Sequence, residues 1–359
     1  MRPFSSTIGA TAGLALTLAL SLAAMPTGAA ADVRFIVFGD APYGVKQSDL
    51  LDRDVAPAIK NDKPSFVIHL GDFLQTKTES CAKPLFGQRY EQAMGLHEDW
   101  VFYTPGDNDW TDCDDSRMKK RGLNPVSEVD QLKILRGLIK GKRMKPMLVK
   151  EWVYETQQEL GFPENARWTQ GNVMFATIHI VGTNNGRDWI NIDDEEATLD
   201  LVDARDRANR TWLDAAFDAA SNLGPNGAGA VVIAIQADVY FVDYPNVPCF
   251  VPDYTVSERK KRDRRSERIK CDGFAAFRAQ LRKLAAKFEK PVLLIHGDTG
   301  KFCLDNKFGG GTAPNLRRLN AFGDVGEVDA TVISVHLDRE QPFEINRLRT
   351  GGSPKPTCP

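Results

Sequence analysis

Short runs of β-branched and aromatic residues recur from residue 33 onward, each cut off by Gly, Pro, Asp or Asn. Val33–Phe38, Phe66–Leu70, Trp100–Thr104, Val173–Val181, Ala230–Ile235, Val292–His296 and Thr331–Leu337 read as strands on this pattern. Between them the apolar spacing lengthens to that of a helix. Glu128–Ile139 carries Val129, Leu132, Leu135, Leu138 and Ile139 on one face. Leu201–Ala220 does so with Val202, Ala208, Trp212, Ala216 and Ala220, and Phe274–Phe288 with Phe274, Phe277, Leu281, Leu284 and Phe288. Such alternation predicts an α/β fold with much parallel pairing. No internal repeat or long low-complexity linker interrupts it, so 32–359 is expected to be a single domain.

The first 31 residues do not fit this pattern. Arg2 is followed by an uncharged stretch from Pro3 to Ala31, with an apolar core over Ala12–Leu20 and a small-residue end at Gly28–Ala31. This reads as a secretory signal peptide cleaved near Ala31. A membrane anchor is the competing reading, but the apolar core is short against the ~20 residues a bilayer span needs. No later segment is apolar enough to span, so export to the periplasm or the medium is expected. The cysteines agree: Cys81, Cys113, Cys249, Cys271, Cys303 and Cys358 form an even set with no CxxC spacing. In an oxidising compartment we expect Cys81–Cys113, Cys249–Cys271 and Cys303–Cys358, the first two stapling loops and the third pinning the tail. The alternative is that some remain buried thiols.

Charged residues make up 26% of the 359 and the hydrophobic set 42%, an ordinary globular balance. The net charge of −2 gives no global electrostatic reason to bind nucleic acid or an acidic membrane surface. One local exception is Ser257–Lys270, densely basic but carrying Glu258, Asp263 and Glu267. It reads either as a solvated helix or loop, or as a patch for anionic ligands.

The chemistry sits at the ends of the strands. Phe38-Gly39-Asp40, Leu70-Gly71-Asp72, Pro105-Gly106-Asp107 and His296-Gly297-Asp298 each close a β-like run with Gly-Asp, and a fifth run ends in Gln236-Ala237-Asp238. Ligands of open α/β sheets bind outside the carboxyl ends of the strands. Glycine there lets the chain turn tightly, and aspartate is a short, hard oxygen ligand. Carboxylates converging on one pocket repel one another unless a cation neutralises them. The pattern therefore predicts bound metal. A single Gly-Asp, such as Gly323-Asp324, reads as a turn. The acidic run Asp107, Asp109, Asp112, Asp114 and Asp115 lacks the glycine and the terminal Glu of an EF-hand loop. No Gly-x-Ser-x-Gly elbow and no phosphate-binding GxxxxGK[ST] loop is present.

In order, these motifs resemble those of the calcineurin-like metallophosphoesterases, and more closely a divergent bacterial exported branch: Gly39-Asp40-Ala41-Pro42-Tyr43, Gly106-Asp107-Asn108-Asp109-Trp110-Thr111-Asp112-Cys113, Gln236-Ala237-Asp238 and His296-Gly297-Asp298. The resemblance implies a four-layer α/β/β/α sandwich of two mixed sheets. It implies a metal set of Asp40, Asp72, Asp107, Asn108, Gln236 and Asp298, with Asp72 bridging. Departures from the family pattern are substantial. Pro42 stands where the first motif has His, and Asp107 and Asn108 where Asn and His stand. A one-residue slip would make Asn108 the ligand in place of Asp107. Gln236 replaces a His ligand, and Asp298-Thr299-Gly300 replaces His-x-His. Oxygen in place of imidazole favours Mg²⁺, Mn²⁺ or Ca²⁺ over Zn²⁺ or Fe.

The implied activity is hydrolysis of a small phosphorylated substrate by a metal-activated water, using one or two divalent ions. Asn108, Asp109 and His296 are the candidate catalytic residues. His296, two residues before Asp298, shares its face if the strand continues, and is otherwise a core histidine. His69, His97, His179 and His336 read as structural. Tyr43, Trp110 and Thr183–Arg187 are candidate pocket walls, with Arg187 either a phosphate ligand or a turn residue. The competing function is a catalytically weak or inactive relative that binds a phosphorylated ligand or a protein.

Overall fold

The period-two alternation of the β-like runs sorts their side chains onto opposite faces, and that sorting builds the architecture. In the computed structural model, residues 1, 33–82, 84–115, 117–141, 153–245, 247–249, 265–323 and 327–358 are described. The expected signal peptide, and Ser257–Arg264 of the basic segment, lie outside the described residues.

The strands are β1 (Val33–Phe38), β2 (Val67–His69), β3 (Val101–Tyr103), β4 (Tyr154–Gln157), β5 (Phe162–Gln170), β6 (Val173–Thr177), β7 (Ala230–Ala234), β8 (Val292–His296), β9 (Cys303–Asp305), β10 (Leu316–Asn320), β11 (Thr331–Val335) and β12 (Phe343–Arg347). They form a five-stranded sheet ordered β12-β11-β1-β2-β3 and a seven-stranded sheet ordered β4-β5-β6-β7-β8-β10-β9. Both are mixed. β1, β2 and β3 run parallel while β11 and β12 are antiparallel. In the larger sheet β6, β7, β8 and β10 are parallel, with antiparallel strands at both ends.

Helices cover the outer faces: α1 (Gly44–Leu50), α2 (Ala56–Asp62), α3 (Leu85–Met94), α4 (Glu128–Gly141), α5 (Glu195–Ser221) and α6 (Ala275–Phe288). Phe35 and Val37 of β1, Phe102 of β3, Phe175 of β6, Val232 of β7 and Ile295 of β8 meet in one buried cluster between the sheets. Ile36, Phe38 and Val101 face the other way, onto Ile59, Phe86, Tyr90 and Leu135. Val231, Ile233 and Leu294 pack on Leu213, Ala216, Phe217, Phe277 and Leu281 of α5 and α6. The layers are thus α/β/β/α, as expected. Full burial of each such side chain stabilises the fold by roughly 1.5–3 kcal/mol.

The strand expectations hold in place and type: Val33–Phe38 and Val292–His296 match to the residue, and the other five are one to four residues shorter at one or both ends. α5 starts six residues before the expected Leu201, because Asp194 caps it by accepting the Ala197 N–H at 2.8 Å, with Glu195 and Glu196 in its first turn. The expected disulfides are present: Cys81–Cys113, Cys249–Cys271 and Cys303–Cys358, with Cα separations of 5.8, 4.8 and 5.3 Å. They fit an oxidising compartment. The third seats the C-terminal segment along β9, where the Leu304 N–H donates to Lys355 O and the Lys355 N–H to Phe302 O. Among the described residues no helix is long and apolar enough to cross a membrane.

Candidate metal centre

The parallel strands β1, β2 and β3 of one sheet and β7 and β8 of the other deliver their carboxyl ends to the same rim. Asp40 follows β1, Asp72 follows β2, Asp107 follows β3 and Asp298 follows β8. Three of these residues leave the extended conformation abruptly: φ is 50° at Asp40, 56° at Asp72 and 67° at Asp298. The left-handed region is uncommon outside glycine, and aspartate is among the residues that tolerate it. Its cost is on the order of 1 kcal/mol each, and such strain concentrates at functional sites. The neighbouring glycines make room. A methyl group on Gly106 would overlap the Asp72 carboxylate, and one on Gly297 the Asp40 carboxylate.

The carboxylates converge. Asp72, Asp107 and Asp298 each place one oxygen within 4.8 Å of the others, and the Asp298 N–H donates to Asp40 Oδ1 at 2.9 Å. Asp72 and Asp107 are further tied by the Asn108 N–H, which donates to Asp72 Oδ1 (3.1 Å) and Asp107 Oδ1 (2.9 Å). Burial, then the charges of Asp107 and Asp40, push Asp72 well above the usual carboxylate range. Burial followed by the same two neighbours does this to Asp298. Burial also lifts Asp107, opposed by its hydrogen bonds. A cation would replace the missing solvation, so this buried oxygen cluster can hold a metal ion.

Gln236, after β7, sits under the cluster. Its Oε1 accepts the Gly182 N–H at 2.7 Å, while Nε2 donates to Asp72 Oδ2 (3.3 Å) and Asp107 Oδ1 (3.4 Å). The reversed amide would point oxygen at two carboxylates and N–H at N–H, so the network fixes the orientation. As placed, Gln236 orients the ligands and does not offer them its oxygen.

Asp40, Asp72, Asp107, Asn108 and Asp298 line one cleft of about 370 Å³. Asp109 and His296 do not line it. Asp109 is fully buried and accepts the N–H groups of Asp72 (2.9 Å), Phe73 (3.2 Å) and Gly106 (2.8 Å), as well as Tyr103 OH (2.6 Å). It binds the two strand-end loops to each other. Burial lifts it to about 6 against those hydrogen bonds. His296 is fully buried with Nδ1 at 2.8 Å from Gly297 O, and burial lowers it to about 4. The shared-face expectation fails here because β8 stops at His296 and the left-handed Asp298 breaks the alternation. Arg187 is likewise withdrawn, paired with Asp203 and Asp206. The described end of the basic segment also turns inward, Arg268 pairing with Asp200 and Asp203. His69 and His179 lie in the core as expected, on the Gly71 N–H and Glu164.

Several cleft residues stand outside the expected metal set. Among the described residues, seven aspartates line it against a single cation, Lys77. Tyr43 OH donates to Asp72 Oδ2 at 3.2 Å and accepts from Asn108 Nδ2 at 3.4 Å. Thr183 Oγ1 reaches Asp107 Oδ2 (3.1 Å) and Asp112 Oδ1 (2.7 Å) from a left-handed turn, Thr183–Asn185, with φ of 53–58°. Trp189 (51% exposed) and Phe241 (74%) stand at the mouth with Val242. Tyr43 and Thr183 are thus cleft walls as expected, Trp110 is instead buried with Leu132 and Val181, and the aromatic rim left no signal in the sequence.

No family model matches this chain and no curated protein does. Among solved structures it is similar to one titled "GAP50 the anchor in the inner membrane complex of Plasmodium", at 12% identity and a TM-score of 0.46, over 91% of this chain and 90% of that one.

Proposed function

We propose that the chain is an exported, metal-dependent phosphoester hydrolase. The observation that carries this reading is the convergence of Asp40, Asp72, Asp107 and Asp298 from separate strand ends into one cleft. Phosphate is anionic, and the described lining of seven aspartates and one lysine would repel it unless a cation intervened. The donor set fits a hard divalent ion: these four aspartates would hold it, Asn108 beside them. When bound, one or two such ions supply Lewis acidity toward the phosphoryl group and a water of lowered pKa.

The chain's own groups divide the remaining work. Gln236 and the Asn108 N–H hold Asp72 and Asp107 in place, and Asp109 locks the loops that carry them. Tyr43 OH lies on the cleft wall beside Asp72 and is the protic group available to the departing oxygen, taking the role that imidazole plays in the resembled family. Lys77 adds attraction for a phosphoryl oxygen. Trp189, Phe241 and Val242 offer an apolar mouth to the organic part of the ester.

The test is hydrolysis of p-nitrophenyl phosphate and bis-p-nitrophenyl phosphate in Mg²⁺, Mn²⁺ and Ca²⁺ by wild type and Asp72→Asn. Metal-dependent turnover that collapses in the variant, while circular dichroism stays unchanged, supports the reading. Metal uptake without turnover on either ester, or on a wider phosphoester panel, favours the second reading, a binding protein for phosphorylated ligands. The observation on its side is that no histidine lines the cleft among the described residues.

A further inference from the structure

Glu128 opens α4 and is fully buried, yet neither of its carboxylate oxygens has a hydrogen-bond partner. It faces Asp114, which ends the 3₁₀ turn Thr111–Asp114 and is also fully buried. Asp114 Oδ2 accepts the N–H groups of Asn191 (2.7 Å) and Ile192 (2.8 Å), while Oδ1 has no partner. The half-buried Asp193 completes the group, accepting Ser127 Oγ at 2.7 Å and the Val129 N–H at 3.2 Å. One oxygen from each of the three lies within 4.8 Å of the others.

Buried carboxylates without partners cost several kcal/mol each, so native proteins pair them or bind metal. The cation at hand is the Arg205 guanidinium, which acts on Glu128 through space but makes no hydrogen bond to it. Its Nη2 is bound to Asn185 and its plane lies over the Trp110 ring. Among the described residues these three carboxylates and one guanidinium leave a charge of about −2, to which nearby Asp112 adds, and a divalent cation would offset it. The donors are all oxygen, with no imidazole or thiolate in the cluster, which selects a hard ion. Three protein carboxylates within 4.8 Å of one another suit the flexible, oxygen-rich shell of Ca²⁺ better than Mg²⁺, which keeps several of its waters.

We propose that Asp114, Glu128 and Asp193 form a second divalent-cation site, preferring Ca²⁺ and separate from the strand-end cluster. It ties together the acidic loop after β3, the start of α4 and the approach to α5. The half-exposed Asp193 gives the ion an entry route, and water supplies the remaining ligands.

The alternative is a Glu128 held protonated, since burial and then Asp114 and Asp193 push it up to about 9 without a cation. Calcium titration calorimetry and melting curves of wild type, Asp72→Asn, Glu128→Gln and Asp193→Asn separate the two. Asp72→Asn should keep one equivalent of Ca²⁺ and its rise in Tm, and Mg²⁺ should bind there more weakly. Glu128→Gln, an isostere of the neutral acid, should fold and lose that equivalent. Asp193→Asn should bind at least about 10-fold more weakly. Undiminished Ca²⁺ binding by Glu128→Gln, or no uptake by Asp72→Asn, would overturn the proposal.

Discussion

Acid should weaken this protein through a pair of buried groups that do not line the cleft. Glu164 of β5 and His179 are both buried, with Nδ1 at 2.8 Å from Oε1, and Arg136 of α4 joins the same carboxylate at 2.6 Å. Burial alone would raise Glu164, but the His179 hydrogen bond and Arg136 outweigh it and hold the carboxyl at about 2, against an ordinary 4.5. Burial lowers His179 to about 4, against 6.5. At neutral pH the pair is therefore an ionised Glu164 beside a neutral His179. In both cases the unfolded chain binds protons that the native state refuses. The stability these groups contribute is full above the unfolded pKa values and is lost as pH falls through the folded ones, between 6.5 and about 2. The gap at Glu164 is worth roughly 3 kcal/mol, and coupling to His179 means the two uptakes do not simply add. Glu164→Gln should destabilise by about 3–5 kcal/mol near pH 7, because it leaves Arg136 without its partner. The assay is urea unfolding followed by tryptophan fluorescence at a series of pH values. The gap between wild type and variant should be constant near neutrality and narrow as pH falls. A variant as stable as wild type at pH 7, or a gap independent of pH, would refute the reasoning.

The strand-end cluster has the opposite sign. The raised values of Asp72 and Asp298 mean that the native state gains protons, so in the chelator-treated protein the stability contributed by this cluster should fall as pH rises, and added metal should erase that dependence. Tyr43→Phe should slow hydrolysis of esters with poor leaving groups by about 10²-fold or more while barely changing that of p-nitrophenyl esters, which leave unaided; an equal loss on both would exclude proton donation. Gly106→Ala should cost about 1–3 kcal/mol in urea unfolding, because the added methyl must displace the Asp72 carboxylate. The same variant should weaken metal binding about 10-fold or more by calorimetry.

Much of this was legible in the sequence because one feature, an apolar run closed by Gly-Asp, reports both the strand and its carboxyl end. The elements that escaped are those whose burial is polar. β5 (Phe162–Gln170) buries Glu164 and Asn165, and β10 (Leu316–Asn320) buries Arg318, so neither shows the alternation expected of a strand. α1 and α2 are separated by a π turn at Leu51–Val55, with a proline in the first turn of α2, which blurs their period. Within the site, Asp40, Asp72, Asp107, Asn108 and Asp298 could be read because each ends a strand. Asp109 and Gln236 have roles set by which backbone N–H groups surround them, and that depends on loops from four different crossovers. His296 was misplaced for a local reason: strand phase cannot be carried past a left-handed residue.

The seven-stranded sheet ends at β9, and an open edge strand invites pairing with another molecule. Here the segment held by Cys303–Cys358 lies against that edge and takes its backbone groups through Lys355. The last covalent link in the chain thus works as a guard against self-association. A reducing environment would be expected to free this edge and offer it as a template for sheet-to-sheet growth.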